Sequence, residues 1–198
     1  MVTVDFYQKL ARRLELYLLR LANYQLPMNG FDLILLLPIA PDSWDDKKTL
    51  LVSAKALATV PRWDATYEIL SLLRQGLNDE EYLSIYNVDL IEPSAYIVQQ
   101  VKRYVDRRED GEIDAPISLI GGVTNQTITA IKSTILEQLQ IGGRYLAEPV
   151  YGHGEIIGVL TKIEPVQDDV WLRFDTVDGE RTCTYTDLVG LKSLSVTS

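Results

Sequence analysis

The chain has 198 residues, 46% of them hydrophobic and 24% charged, with a formal net charge of −9, a composition that folds and that excludes an intrinsically disordered segment of this length. The acidity is spread along the chain: five basic residues stand against nine acidic ones over 142–198, and fourteen against nineteen before that. Neither part offers the clustered Lys and Arg that neutralise a phosphate backbone, so nucleic acid is not expected as a direct ligand. The single cysteine, Cys183, has no partner for an internal disulfide and suits a reducing compartment. The opening Met1-Val2-Thr3-Val4-Asp5 lacks the basic and apolar regions of a secretion signal. The longest apolar run, over 33–39, is far short of the ~20 residues that span a bilayer. A cytoplasmic protein without membrane contact is expected.

Taken in chain order, Phe6, Leu10, Leu14, Tyr17, Leu18 and Leu21 recur at helical spacing. They predict an amphipathic helix over 5–25, with Asp5 as N-cap, Pro27 and Gly30 at its end, and Lys9, Arg12, Arg13 and Arg20 facing water. The unbroken run Leu33-Ile34-Leu35-Leu36-Leu37 predicts a strand buried on both faces in the middle of a sheet. Residues 41–47 read as a polar turn, and 49–57 as a second strand that pairs with the first as a hairpin. Ala65, Ile69, Leu70, Leu72, Leu73 and Leu77 predict a helix over 63–76, closed by Gly76 and Asn78. Residues 82–91, aromatic and β-branched, predict a strand, and Ser94 caps a helix carrying Ile97, Val101, Tyr104 and Val105. Residues 107–114 read as a charged loop and 116–120 as a short strand broken by Gly121-Gly122. Ile128, Ile131, Ile135 and Leu139 then place a helix over 127–139.

Strands alternating with helices predict an α/β or α+β domain over 1–141, a mixed sheet with helices. At Gly142-Gly143 the helical period gives way to short strands over 144–151, 154–163, 169–175, 181–186 and 188–194. Asp178-Gly179 marks a hairpin turn between two of them. In Val170-Trp171-Leu172-Arg173-Phe174-Asp175, aliphatic and polar or aromatic residues alternate, as a small barrel requires of strands with one face inward. Gly152 and Gly154 supply positive φ to the turn ahead of Ile156-Ile157.

The string Pro149-Val150-Tyr151-Gly152-His153-Gly154-Glu155-Ile156-Ile157, followed by Val170 to Asp175, resembles bacterial Tudor-like and SH3-like barrels. Its glycine turn is similar to that of the RNA-polymerase-interacting modules of CarD-type regulators and of transcription-repair coupling factor. The resemblance covers about 50 of the 198 residues. It implies a protein-docking barrel over 142–198, with Tyr151, His153, Trp171 and Phe174 toward the partner. The segment before it resembles no family.

No reaction signature emerges. His153, the only histidine, lies between two glycines in a predicted turn, and a catalytic role would need an orienting carboxylate and a substrate cleft as well. Cys183, within Thr182-Cys183-Thr184-Tyr185, reads as a small hydrophobe. Gly121, Gly122, Thr124 and Asn125, between a strand and a helix, form a turn whose N–H groups could meet a phosphate, but without the spacing of a nucleotide-binding loop. Pro41-Asp42 followed by Ser53-Ala54-Lys55 is similar to the Pro-Asp…acid-x-Lys set of metal-dependent nucleases. Ser53 stands where the second acid is needed, which removes a metal ligand and excludes that chemistry. The expectation is a non-enzymatic binding or adaptor protein that takes no cofactor or metal and docks a protein partner through its barrel. Two alternatives stand beside it: a domain for a small molecule or nucleotide phosphate, enzymatic or not, and a structural subunit of a homo-oligomer, for which the apolar helix over 5–25 provides a dimerisation surface.

Overall fold

A computed structural model describes residues 4–26, 29–39, 47–105, 112–115, 126–131, 135–150 and 154–194. The fold is α+β, with one mixed and one antiparallel five-stranded sheet. It divides into two compact units that are discontinuous in sequence: residues 1–11 with 31–133, and residues 12–30 with 134–198. The sequence boundary at Gly142-Gly143 falls inside the second unit.

Helix α1, Val4–Leu21, contributes to both units. The amphipathic expectation understates its burial, because Leu16 and Leu19 are buried as well as Leu10, Leu14 and Leu18. Asp5 lies within the helix rather than at its cap. The helix is ended by Asn23 and Tyr24, both at positive φ, with the Tyr24 N–H donating to the Leu19 carbonyl at 2.8 Å. That bond satisfies a carbonyl the helix would otherwise leave open.

In the first unit the strands are β1 (Leu33–Pro38), β2 (Lys48–Ser53), β3 (Ile85–Leu90), β4 (Glu112–Ala115) and β5 (Gln126–Ala130), in the order β3-β2-β1-β5-β4. Apolar β1 lies at the centre, buried on both faces over Leu33–Leu36 as its unbroken run requires. It pairs antiparallel with β2, Leu35 opposite Leu51, so the expected hairpin pairing is present. Between β2 and its parallel neighbour β3 lie a 3-10 turn at Lys55–Thr59, helix α2 (Arg62–Gly76) and helix α3 (Asp79–Leu83). Helix α2 buries Ala65, Ile69, Leu72 and Leu73, a stripe at spacings of 4, 3 and 1. Helix α3 occupies the start of what reads as strand over 82–91. A capping box imposes it: the Asn78 side chain accepts the Glu81 N–H and the Glu81 carboxylate accepts the Asn78 N–H, each at 2.9 Å. Helix α4 (Tyr96–Val105) lays Val98 and Val101 onto Leu33, Leu35, Leu51 and Ala130, the core of one sheet face.

Two sequence expectations fail in this unit. Residues 126–130 are strand β5, not helix, and of the described residues in the expected helix Ile135–Gln138, which belong to the second unit, form helix α5. In Gln126-Thr127-Ile128-Thr129-Ala130 three β-branched residues adjoin, and their stiff side chains favour the extended backbone over the 3.6 period that Ile128 and Ile131 suggest. Part of the charged segment expected as loop, Glu112–Ala115, is strand β4, with Ile113 opposite Ile128. The expected strand over 116–120 and turn over 41–46 lie outside the described residues.

The second unit contains β6 (Arg144–Pro149), β7 (Ile156–Val166), β8 (Asp169–Thr176), β9 (Gly179–Thr184) and β10 (Leu188–Ser193), in the order β10-β6-β7-β8-β9. The expected strands are present within a few residues of their sequence bounds. Gly154 takes φ +75°, and Gly179, after the two-residue turn Val177-Asp178, takes φ +110°. The first half of β7 pairs with β6 and the second with β8, and an irregularity in register between Leu160 and Lys162 falls where the strand changes partners. Gly158 lies at that passage, and a Cβ there would stand 2.6 Å from the Asp175 carbonyl oxygen. Tyr145 anchors the start of the sheet: its hydroxyl accepts the Gln140 N–H at 2.8 Å and donates to the Gln138 carbonyl at 2.6 Å.

Candidate functional site

Alternation along β8 sorts its side chains cleanly. Val170, Leu172 and Phe174 are buried, while Trp171, Arg173 and Asp175 point the other way. Trp171 is 40% exposed, so the strand presents its indole outward and Val170, Leu172 and Phe174 inward. Phe174 is fully buried, which corrects its expected place beside Trp171: the two lie on opposite faces, three residues apart on a strand of period two.

Cross-strand register assembles the outer face in rows. Glu164 on β7 and Thr184 on β9 flank Trp171. In the next row Lys162 and Thr182 flank Arg173, and beyond it Glu180 faces Asp175. Glu164 accepts from both Lys162 and Arg173, and Arg173 also reaches Glu180 at 2.8 Å. The hydrogen bonds from Lys162, then Arg173, hold the Glu164 carboxyl below its ordinary value. One aromatic thus stands at the end of an ordered, charge-balanced lattice. Tyr151 and His153, expected near it, lie outside the described residues, as do Gly121, Gly122, Thr124 and Asn125 of the phosphate turn.

Cys183, opposite Leu172, is half-buried. Burial, then the charges of Asp187 and Asp169, push its thiol up to about 12. At neutral pH it is a protonated thiol rather than a nucleophile.

The interior face holds a polar cluster that includes Arg12, expected to face water. Arg12 is only 5% exposed and Glu15, one helical turn on, is 0% exposed. Arg12 donates to Glu15 through Nη1 and to the Leu188 carbonyl through Nε at 3.3 Å. The Tyr185 hydroxyl donates to Glu15 Oε2 at 2.9 Å, and the Leu136 N–H to Oε1 at 3.3 Å. Burial, then the Glu15 charge, raise the Tyr185 hydroxyl well above the usual tyrosine value. The available signal was an Arg and a Glu at i,i+3 inside the apolar stretch over 10–19, a spacing at which the two side chains meet. The cluster's groups satisfy one another, which is how a charge pair persists in a core.

A second concavity lies in the first unit, a cleft of about 240 Å³ beyond the carboxyl ends of the parallel strands β2 and β3. Its walls are aliphatic side chains that include Leu57, Ala58, Val60 and Ile91, and two charged residues, Arg62 and Glu92, complete the lining. Arg62, the first residue of α2, donates from its guanidinium to the Leu90 carbonyl. The Glu92–Ala95 turn is fixed by the Ala95 N–H to the Glu92 carbonyl at 2.9 Å and by Gln99 to the Pro93 carbonyl at 2.8 Å. In open sheets with parallel strands, ligands bind beyond the carboxyl ends of those strands.

Among the described residues no cluster of His, Cys, Asp and Glu has the makings of a metal site, and no helix is long and apolar enough to cross a membrane. Comparison of the chain with models of protein families, with curated proteins and with solved structures returned no match.

Proposed function

We propose that the chain is a non-enzymatic binding or adaptor protein, and that its second sheet, an SH3-like or Tudor-like barrel, docks a protein partner on the face that carries Trp171. The outward Trp171 is the observation that carries this reading. A half-exposed indole on the outer face of an inner strand is the side chain best suited to anchor a partner, since it offers a large apolar surface with only two side-chain torsions to fix.

Strand connectivity supports the barrel. Four consecutive antiparallel strands, β6 to β9, form a meander, and the fifth, β10, returns to pair with the first, β6. A sheet so connected, with one long strand shared between two partners, curls toward closure. The Lys162–Glu164–Arg173–Glu180 lattice supports docking by holding the surroundings of Trp171 in fixed geometry, so that little side-chain entropy is lost on binding.

The test is recovery of partners by the full chain and by a full-length Trp171→Ala variant. A partner bound by the parent and lost with Trp171→Ala, while Val177→Ala on the exposed hairpin turn retains it, is the expected result. Equal recovery with all three chains removes the reading. Point variants suit this better than truncation at 141, which would leave residues 12–30 without the strands of their own unit.

A further inference from the structure

The β2–β3 cleft lies in the first unit, apart from the docking sheet, and its chemistry is specific. We infer that it binds a small zwitterion with an apolar body, of the α-amino-acid class. The argument rests on volume, wall and charge together. At about 240 Å³ the space is below the ~300–1,000 Å³ of pockets for drug-sized ligands, so its occupant is small. Apart from Arg62 and Glu92 the lining side chains are aliphatic, which suits a branched hydrocarbon side chain.

Both signs of charge reach the lining. Arg62 is held at the mouth by its bond to the Leu90 carbonyl, and a guanidinium carries five N–H donors in a planar fork, so donors remain for a carboxylate. Glu92 is exposed and, among the described residues, its carboxylate has no hydrogen-bond or ion-pair partner, leaving it available to an ammonium group. A simple carboxylic acid leaves Glu92 unanswered and a simple amine leaves Arg62 unanswered, while a ligand bearing both groups on one carbon meets both. A phosphate carries no ammonium group to answer Glu92 and has the same sign of charge, which disfavours it.

The test is calorimetric titration of the full chain with L-leucine, with 4-methylpentanoate (its carboxylate without the amine) and with 3-methylbutylamine (its amine without the carboxylate). Leucine is expected to bind about five-fold tighter than either half-ligand, the gain of one exposed ion pair. Glu92→Gln is expected to abolish that margin and bring leucine level with 4-methylpentanoate. Ala58→Phe, placing a ring from an exposed position on the cleft wall into the cleft, is expected to abolish all binding. Arg62→Met is informative only if its circular dichroism matches the parent, because Arg62 also serves the Leu90 carbonyl; the other two variants carry the test without it. Absence of heat with leucine at millimolar concentration, equal affinity for leucine and 4-methylpentanoate in the parent, or retention of the margin in Glu92→Gln each overturns the inference.

Discussion

The two faces of the second sheet carry similar polar groups under opposite conditions. Inside, Arg12 and Glu15 are removed from water and bound by Tyr185, the Leu136 N–H and the Leu188 carbonyl. Outside, Lys162, Glu164, Arg173 and Glu180 join through as many charged contacts on a solvated surface. The inner groups are each costly to leave alone, because a desolvated charge has no substitute for its partner, whereas water and ions replace any member of the outer lattice. Geometry that looks alike therefore serves different ends: the inner cluster fixes which packing the unit adopts, and the outer lattice fixes only the shape of a surface.

The sharpest way to break this comparison is Glu15→Ala. It strands the Arg12 charge and the Tyr185 hydroxyl in the core and is expected to lower unfolding free energy by about 3–5 kcal/mol in urea denaturation. The double change Arg12→Met with Glu15→Leu leaves no buried charge and is expected to lose much less; equal losses would show that packing, not charge pairing, is what Glu15 supplies. Next in size is Gly158→Ala, where the new methyl meets the Asp175 carbonyl oxygen and forces β7 from β8, at about 1–3 kcal/mol. Gly190→Ala is its control, since the nearest atom there is the end of the flexible Glu148 side chain, and it is expected to be nearly silent. Tyr145→Phe removes one hydroxyl from between Gln138 and Gln140 and is expected to lower stability by about 1–2 kcal/mol.

Alkali sharpens the same contrast through Cys183. A folded value raised from 9.0 to about 12 means that the folded state keeps its proton while the unfolded chain loses it. Stability is therefore unaffected below pH 9, falls as pH rises from 9 toward 12, and the first part of that fall is absent in Cys183→Ala. Thermal melts across the range measure it, and Tyr185, raised as well, adds a second decline above the ordinary tyrosine value. The smallest effect is expected outside. Glu164→Gln is predicted to leave the melting temperature of the parent unchanged within error at 0.5 M salt. Because the Glu164 value is depressed, whatever it contributes is present above the ordinary carboxylate range and disappears as pH falls through the folded value.

Much of this was legible in the residues. Leu33–Leu36 could only be a central strand, and Val170, Leu172 and Phe174 against Trp171, Arg173 and Asp175 announced two faces, because period-two alternation depends on the pleat alone. What escaped had non-local causes. Gln126–Ala130 has β-branched residues that favour extension, but it becomes a strand of this sheet by adding to β1, far away in sequence, as well as to its chain neighbour β4, and the isoleucine spacing across it imitated a helix. Arg12 read as solvated because a charged side chain on a helix usually is, and its burial depends on groups more than a hundred residues distant. The cleft was illegible for the same reason: Arg62 and Glu92 are brought to one opening only by the parallel pairing of β2 with β3.

The bond between Glu15 and Tyr185 spans 170 residues of chain. During synthesis at about 5–20 residues per second, the helix bearing Glu15 leaves the ribosome roughly 10–30 s before its hydrogen-bond donor exists. Until residues 144–184 follow, Leu16, Leu18 and Leu19, fully buried in the finished fold, lack the strands of their own unit, whereas residues 31–133 are made first. The first unit can thus mature during translation, and the second can close only after the strand leading to Tyr185 emerges. The nascent chain passes through a stage with a greasy helix uncovered, in which chaperone capture and self-association compete with folding.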